Sequence, residues 1–182
     1  MDTIAYYIGA DNDFLSVSNE LAASIGFKEI NKFTNLAQIE LQTLENPVCF
    51  FLFDETQEVK SLKKIVDRIR ACKRHKIRFF PLIYLCSNPS PDIIRQTLAL
   101  GFDDVIIKPF NNNIKTRLQL QIDKNIIYYE TSEYFGPDRR RLDSKQKITK
   151  RETQKGIKYC QYKFLRCLEN GTKIIEKKIL VS

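Results

Sequence analysis

Two residues of opposite charge each follow directly after a short apolar run. Asp54 comes after the run Val48–Phe53, and Lys108 comes after Val105–Ile107. An unbroken apolar run of this length is typical of a central strand of a parallel sheet, both faces of which are covered. Since residues at the carboxyl ends of such strands share one edge of the sheet, we expect the carboxylate and the ammonium group to face each other.

Other residues able to perform chemistry are sparse. The chain has one histidine, His75, and five cysteines, no two of which have the CxxC spacing. A zinc site needs closely spaced Cys or His ligands, so none is predicted. His75 lies in the basic run 73–76, which is typical of a solvated helix end. The sequence therefore predicts no catalytic residue, and we expect that the chain is not an enzyme.

The elements that position Asp54 and Lys108 follow from the hydrophobic pattern. Apolar runs alternate with segments of helical spacing, and this repeats five times within about 130 residues. Strict β/α alternation predicts a parallel sheet with helices on both faces, a flavodoxin-like three-layer sandwich of order 2-1-3-4-5. The predicted strands are 4–8, 28–31, 48–53, 79–85 and 105–107, and a last helix is predicted from about Lys115 to Tyr129.

Three stretches carry a resemblance to a known family. Asp54 lies seventeen residues before Ala71, at the end of a predicted helix, and Pro81 opens the fourth strand. The third and most specific stretch is 99–110, which reads ALGFDDVIIKPF. Over residues 3 to about 125 the chain resembles the receiver domain of bacterial response regulators, and this resemblance implies a role in two-component signalling.

The resemblance also implies roles for individual residues. Asp54 takes the place of the phosphate-accepting carboxylate, and Lys108 that of the lysine that pairs with it and with the phosphoryl oxygens. The Lys108–Pro109 bond is then expected to be cis. In such a site a carboxylate attacks phosphorus, a lysine stabilises the oxygens and Mg²⁺ neutralises the developing charge.

The metal ligands of the family are not matched. Its two acidic residues after the first strand fall near Gly9 and Ala10 here. Asp11 and Asp54 remain as weak candidate metal ligands, and Mg²⁺ demands near-octahedral oxygen coordination. We therefore expect no resident cofactor, with Mg²⁺ bound weakly if at all.

Two further positions depart from the family. Cys86 stands where the family has a Thr or Ser that senses phosphate, and the adjacent Ser87 is expected to point elsewhere. Val105 stands at the position of the aromatic switch residue. Three departures together predict a receiver that ordinary phosphorylation does not operate, in which Asp54 and Lys108 form a structural ion pair. Cys86 is interpreted as a small buried side chain, with a redox-sensitive thiol beside Lys108 as the alternative.

The positive charge is confined to the end of the chain. Residues 131–182 hold 14 of the 30 Lys and Arg residues but only 6 of the 22 Asp and Glu residues, so the +8 of the whole chain lies there. We divide the chain into a receiver-like domain (1–130), a basic linker or docking segment (131–158) and a β-hairpin (159–182). A type I′ turn is predicted at Asn170–Gly171.

The basic segment begins with the element YFGPDRRR at 134–141. Arg139, Arg140 and Arg141 either grip carboxylates or phosphates of a partner or belong to a solvated linker, and the sequence leaves both readings open. A similar Phe-Gly-Pro-Asp-Arg-Arg element follows receiver domains in some bacterial regulators, but no physical reason fixes its role.

Three functions remain in competition. The first is an interaction module that binds a protein partner, such as a histidine kinase or another signalling protein. The second is a phosphoacceptor modified at Asp54, and the third is a nucleic-acid binder acting through the basic tail. A dimer is compatible with each. Because no apolar run approaches the roughly 20 residues of a membrane span and the N-terminus lacks signal-peptide features, we expect a cytoplasmic protein.

Overall fold

The computed structural model describes residues 1–43, 47–55, 59–111, 113–138 and 158–181. They form two sheets, five α-helices and one 3₁₀ helix. None of these helices is long and apolar enough to cross a membrane. The strands are β1 Ile4–Ile8, β2 Glu29–Lys32, β3 Phe50–Asp54, β4 Leu82–Cys86, β5 Asp104–Ile107, β6 Asn125–Glu130, β7 Phe135–Pro137, β8 Lys158–Cys167 and β9 Gly171–Val181. The helices are α1 Asp11–Ile25, α2 Leu36–Gln42, α3 Val59–Ala71, the 3₁₀ helix Arg74–Phe79, α4 Pro91–Leu100 and α5 Asn113–Gln119.

The first sheet confirms the predicted fold class. Its five strands are parallel and lie in the order β2-β1-β3-β4-β5. Alternate residues of β3 enter two separate cores, with Phe51 and Phe53 on one face and Phe50 and Leu52 on the other. Both faces of the sheet are therefore covered, as the unbroken apolar run indicates. We call residues 1–122 the α/β body.

Helix ends in the α/β body follow local chemistry. Ser90 caps α4, its hydroxyl accepting a hydrogen bond from the Ile93 amide, and Pro91 occupies the first turn, where a missing N–H costs nothing. Gly26 ends α1 with a φ of 71°, in the left-handed region that favours glycine. Because all five strands are parallel, the loops that follow them lie together at one edge of the sheet.

The prediction of a last helix from about Lys115 to Tyr129 is wrong. Helix α5 ends at Gln119, and Asn125–Glu130 is strand β6. The segment Ile126–Tyr129 consists of β-branched and aromatic residues, which favour a strand when a partner strand is present. That partner is β8, which is distant in sequence. The local hydrophobic pattern around Asn125–Glu130 therefore gave no indication of it.

The second sheet extends the predicted hairpin to four antiparallel strands in the order β7-β6-β8-β9. Strands β8 and β9 are joined by a three-residue loop, 168–170, instead of the predicted two-residue turn. Gly171 follows the loop with a φ of 72°, which fits a loop that ends in a left-handed residue. We call β6–β9 the C-terminal sheet.

An aromatic cluster attaches the C-terminal sheet to the α/β body. Phe79 of the body is surrounded by Tyr128, Phe135, Tyr162 and Phe164 of the sheet, with ring centroids 4.9–6.3 Å away. Since aromatic pairs add to the stabilisation from buried area, this cluster holds the two sheets together.

A close backbone approach supports the same contact. A Cβ atom on Gly136 would lie 2.8 Å from the Gly101 Cα atom and 2.6 Å from the Tyr134 hydroxyl. Only glycine therefore fits between β7 and the loop after α4. This contact gives Phe135-Gly136-Pro137 a structural role, in docking the sheet to the body.

Buried charges lie beside the aromatic cluster. The Asp103 carboxylate accepts hydrogen bonds from Arg70 of α3 at 3.0 Å, from Arg166 of β8 at 2.8 Å and from the Tyr128 hydroxyl. The Arg166 side chain is fully buried and also donates to the Phe79 carbonyl at 2.6 Å. Burial opposes the charge of Asp103, but the two guanidinium groups outweigh this effect and lower the pKa of its carboxyl group.

Replacing Arg166 is expected to destabilise the whole chain. The Arg166→Met variant keeps much of the volume but removes one of the two cations from Asp103, and breaking a buried pair typically costs about 3–5 kcal/mol. Urea denaturation at neutral pH measures the change. The matched control is Arg95→Met, because the Arg95–Asp92 pair is exposed and its loss should cost less than about 0.5 kcal/mol. Equal stability of both variants would contradict a role for Arg166 in docking.

Candidate functional site

The structure brings Asp54 and Lys108 together at the carboxyl edge of the first sheet. Asp54 is fully buried at the end of β3. The Lys108 ammonium group lies 3.1 Å from both oxygens of the Asp54 carboxylate, and its own side chain is 18% exposed. The Lys108–Pro109 peptide bond is cis. The expected pairing across β3 and the loop after β5 is thus present.

Tyr7 is a third member of this site. Its hydroxyl donates to Asp54 Oδ2 at 3.2 Å, and its side chain is buried. Burial raises the pKa of Tyr7, and the nearby Asp54 charge raises it further, so the hydroxyl keeps its proton and acts as a donor. The two oxygens of Asp54 are therefore shared between a lysine and a tyrosine.

The register of β1 and β3 explains why Tyr7 fills this place. Ile8 pairs with Phe53, which sets Gly9 level with Asp54. Residues two apart on a strand share one face, so the Tyr7 ring lies over Gly9. A Cβ atom on Gly9 would lie 2.4 Å from the Tyr7 hydroxyl oxygen and 2.8 Å from the Asp54 Cβ atom. No side chain, acidic or otherwise, fits at Gly9 while Tyr7 occupies this position.

Asp11 is the other weak candidate for metal binding. It begins α1, its side chain is 81% exposed, and its carboxylate pairs with Lys32. Within the described ranges, no three His, Cys, Asp or Glu side chains come close enough to hold a metal ion. Mg²⁺ needs several oxygen ligands, and Lys108 already faces both oxygens of Asp54. The described residues around Asp54 therefore do not fit Mg²⁺.

Glu55 and Ser87 close the site on its outer side. Glu55 accepts hydrogen bonds from the Ser87 hydroxyl and, at 2.8 Å, from the Ser87 amide, and it lies 3.5 Å from the Lys108 ammonium nitrogen. Partial burial acts to raise the pKa of Glu55, but the Ser87 hydrogen bonds and the Lys108 charge outweigh it and lower that pKa. Ser87 was expected to point elsewhere; its hydroxyl and the Lys108 ammonium group both contact Glu55 Oε1.

Cys86 and Val105 are both buried in the core on one face of the sheet. Burial raises the pKa of the Cys86 thiol, and the charges of Glu55 and Asp54 add to this effect, while Lys108 only partly opposes it. A thiol with a raised pKa is a poor nucleophile at neutral pH. The pKa direction favours the interpretation of Cys86 as a small buried side chain over a redox-sensitive thiol.

Tyr7 and Glu55 are the site residues that sequence reasoning missed. Tyr7 lay within a run interpreted as strand core, although its spacing from Gly9 could have shown that it shares the face of Asp54. Glu55 had no such signal, because its partners, Ser87 and Lys108, lie in the loops that follow β4 and β5. Arg139, Arg140 and Arg141 lie outside the described residues, so their role as a partner-binding cluster stays a prediction.

No protein-family model and no curated protein matches this sequence. Among solved structures, the chemotaxis protein CheY4 of Vibrio cholerae is 20% identical to this chain. The match covers 67% of this chain and 99% of that one, at a TM-score of 0.48. A response regulator from Thermotoga maritima is 18% identical, with 68% and 100% covered and a TM-score of 0.49. The receiver domain of the Pseudomonas aeruginosa sensor histidine kinase PA1611, crystallised with magnesium in its active-site cleft, is 16% identical, with 66% and 98% covered and a TM-score of 0.43. Because every one of these TM-scores lies below 0.5, we draw no conclusion about the activity of this chain from them.

Removing the cation alone is expected to cost more than removing the whole pair. In Lys108→Met the buried Asp54 carboxylate loses its counter-ion, which should lower the free energy of unfolding by about 3 kcal/mol. The double variant Asp54→Asn, Lys108→Met leaves no buried charge and should recover most of that loss. Urea denaturation of the two single variants and the double variant gives the coupling energy. Additive losses would show that Asp54 and Lys108 do not stabilise each other.

Proposed function

We propose that this chain is a receiver-type signalling module that acts through contacts with a protein partner and not through phosphorylation of Asp54. The observation that carries the proposal is the Tyr7 hydroxyl, which donates to Asp54 and excludes any side chain from Gly9. The place where a metal-binding carboxylate would have to stand is therefore filled by a side chain of the protein itself.

Charge around Asp54 supports the same proposal. Phosphoryl transfer brings several negatively charged oxygens towards the carboxylate, and catalysis depends on cations that neutralise them. Here Lys108 is the single cation in contact with Asp54 among the described residues, and it is shared with Glu55. Glu55 adds a second negative charge beside the same lysine.

One observation favours the alternative of a working phosphoacceptor. The Asp54–Lys108 pair at 3.1 Å has the arrangement that the family resemblance implies. Against it stand the full burial of Asp54 and the lack of fit for Mg²⁺. Our proposal is therefore a non-enzymatic, cytoplasmic interaction module with a histidine kinase or another signalling protein as partner. Nucleic-acid binding through the basic tail is a second candidate.

Acetyl phosphate with Mg²⁺ is expected to leave the protein unmodified. Intact mass spectrometry after incubation measures the adduct, with Asp54→Asn as the control for modification elsewhere. The physical reason is that Lys108 and Tyr7 already engage the oxygens of the buried Asp54 carboxylate, and that Gly9 leaves no room for a carboxylate that would help to hold Mg²⁺. A stoichiometric phosphate adduct that disappears in Asp54→Asn would overturn the proposal in favour of the phosphoacceptor.

Restoring space and charge at the end of β1 is expected to create metal binding. In the variant Tyr7→Val, Ala10→Asp, the valine frees the position now filled by the tyrosine ring, and a new carboxylate is added near Asp54 without a side chain at the crowded Gly9 position. Saturable Mg²⁺-dependent shifts of backbone amides near Asp54 should then appear in NMR titrations. The native chain and Tyr7→Val alone should show none at the same concentrations. Saturable shifts in the native chain would contradict the assigned role of Tyr7.

A further inference from the structure

A cleft with a strong positive charge lies where the C-terminal sheet meets the α/β body. Lys73, Lys76 and Arg78 line it from the segment around the 3₁₀ helix, and Lys177 lines it from β9. We call this the basic cleft. It lies next to the amino end of β4, whereas Asp54 ends β3 at the opposite edge of the sheet, so it is independent of the site around Asp54 and of the function proposed for it.

One carboxylate lines the basic cleft among the described residues, and it is already engaged. Glu130 accepts hydrogen bonds from Arg78 at 2.5 Å and from the Tyr162 hydroxyl at 2.5 Å. Burial opposes ionisation of Glu130, but these hydrogen bonds and the charges of Arg78 and Lys177 lower its pKa, so it is ionised at neutral pH. Four cations against one carboxylate leave the described lining of the cleft with a net charge of about +3.

Contacts with the surrounding structure hold several of these cations in place. Lys76 adopts a φ of 59°, unusual for a residue with a side chain, and its ammonium group donates to the Thr172 carbonyl at 2.7 Å. The Lys177 ammonium nitrogen lies 5.3 Å from the centre of the Tyr162 ring. A ligand that binds here finds charges that are partly ordered beforehand, which lowers the entropic cost of binding.

Arg78 has hydrogen-bonding capacity that the protein does not use. Its guanidinium group lies 3.7 Å from the centre of the Phe135 ring and pairs with Glu130 through Nη2. Its Nε atom is buried and has no hydrogen-bond acceptor among the described residues. A buried donor without an acceptor is costly, and neither Glu130 nor the Phe135 ring satisfies this one.

We propose that the basic cleft binds a compact anion with two or more linked phosphate groups, such as the diphosphate or triphosphate part of a small molecule. Like charges this close repel one another, and a ligand with several negative charges on adjacent groups relieves that repulsion. Cations that converge on one cleft match linked phosphates better than the spaced carboxylates of an extended acidic peptide. Bound across the body and the C-terminal sheet, such a ligand also stabilises the contact between them.

Isothermal titration calorimetry with the full chain tests the proposal, with sodium tripolyphosphate as the probe at low and constant ionic strength. The test variant is Lys73→Gln, Lys177→Gln, which removes two exposed charges from the cleft. The control variant is Lys28→Gln, Lys64→Gln, which removes two exposed charges elsewhere on the body. We expect the cleft variant to raise the dissociation constant at least about tenfold and the control variant to change it less than about twofold.

Two further ligands define the chemical class. An oligo-aspartate peptide and a short single-stranded DNA, each at the same ionic strength, should bind more weakly than tripolyphosphate and should discriminate less between the two variants. Equal weakening of tripolyphosphate binding in both variants, or no binding to the native chain, overturns the proposal. Tighter binding of the peptide or of the DNA overturns it as well, in favour of an acidic protein segment or a nucleic acid.

Discussion

Asp103 is a buried carboxylate held between two buried arginines that come from different parts of the chain, Arg70 from α3 and Arg166 from β8. Each guanidinium group also donates to backbone carbonyls of the α/β body. Desolvating three charged groups is expensive unless each is paired and hydrogen-bonded, and here each one is. If the C-terminal sheet separates from the body, this cluster loses Arg166, so the two parts are expected to unfold together.

The charged cluster around Asp103 fixes more than the position of the C-terminal sheet. Asp103 also accepts a hydrogen bond from the Leu82 amide at the start of β4, which ties the amino ends of β4 and β5 to the docking contact. The aromatic residues around Phe79 lie immediately beside it, and the basic cleft opens next to both. Docking at this edge of the sheet leaves the opposite edge, with Asp54 and Lys108, out of the contact.

At that opposite edge, Asp54 finds its ion-pair and hydrogen-bond partners within the chain. Lys108 offsets its charge and Tyr7 donates to one of its oxygens, so both oxygens of the buried carboxylate have partners within the chain. Glu55 engages Ser87 and lies close to the same lysine. The arrangement keeps the ion pair that a phosphoacceptor would use but surrounds it with groups of this chain. For this reason we propose that the module acts by binding a protein partner at its surface and not through chemistry at Asp54.

Much of the fold could be predicted from the sequence because its signals are local. The apolar runs of β1, β3 and β5 and the glycine after α1 each depend on neighbouring residues alone. The alternation of these elements was sufficient to predict the parallel sheet and its order. The pairing of Asp54 with Lys108 followed from that order, because strand ends in a parallel sheet share an edge.

The remaining features depended on residues distant in sequence. Asn125–Glu130 became a strand because β8 pairs with it, and Arg166 became a buried cation because Asp103 lies opposite it. Tyr7 looked like an ordinary core residue until the register of β1 and β3 placed its hydroxyl on Asp54. The sequence alone determined which segments are strands and helices of the body and where its charged edge lies. Only the tertiary structure decided which side chains fill that edge. Their contacts are set by strand register and by docking of the C-terminal sheet, and a local sequence pattern encodes neither.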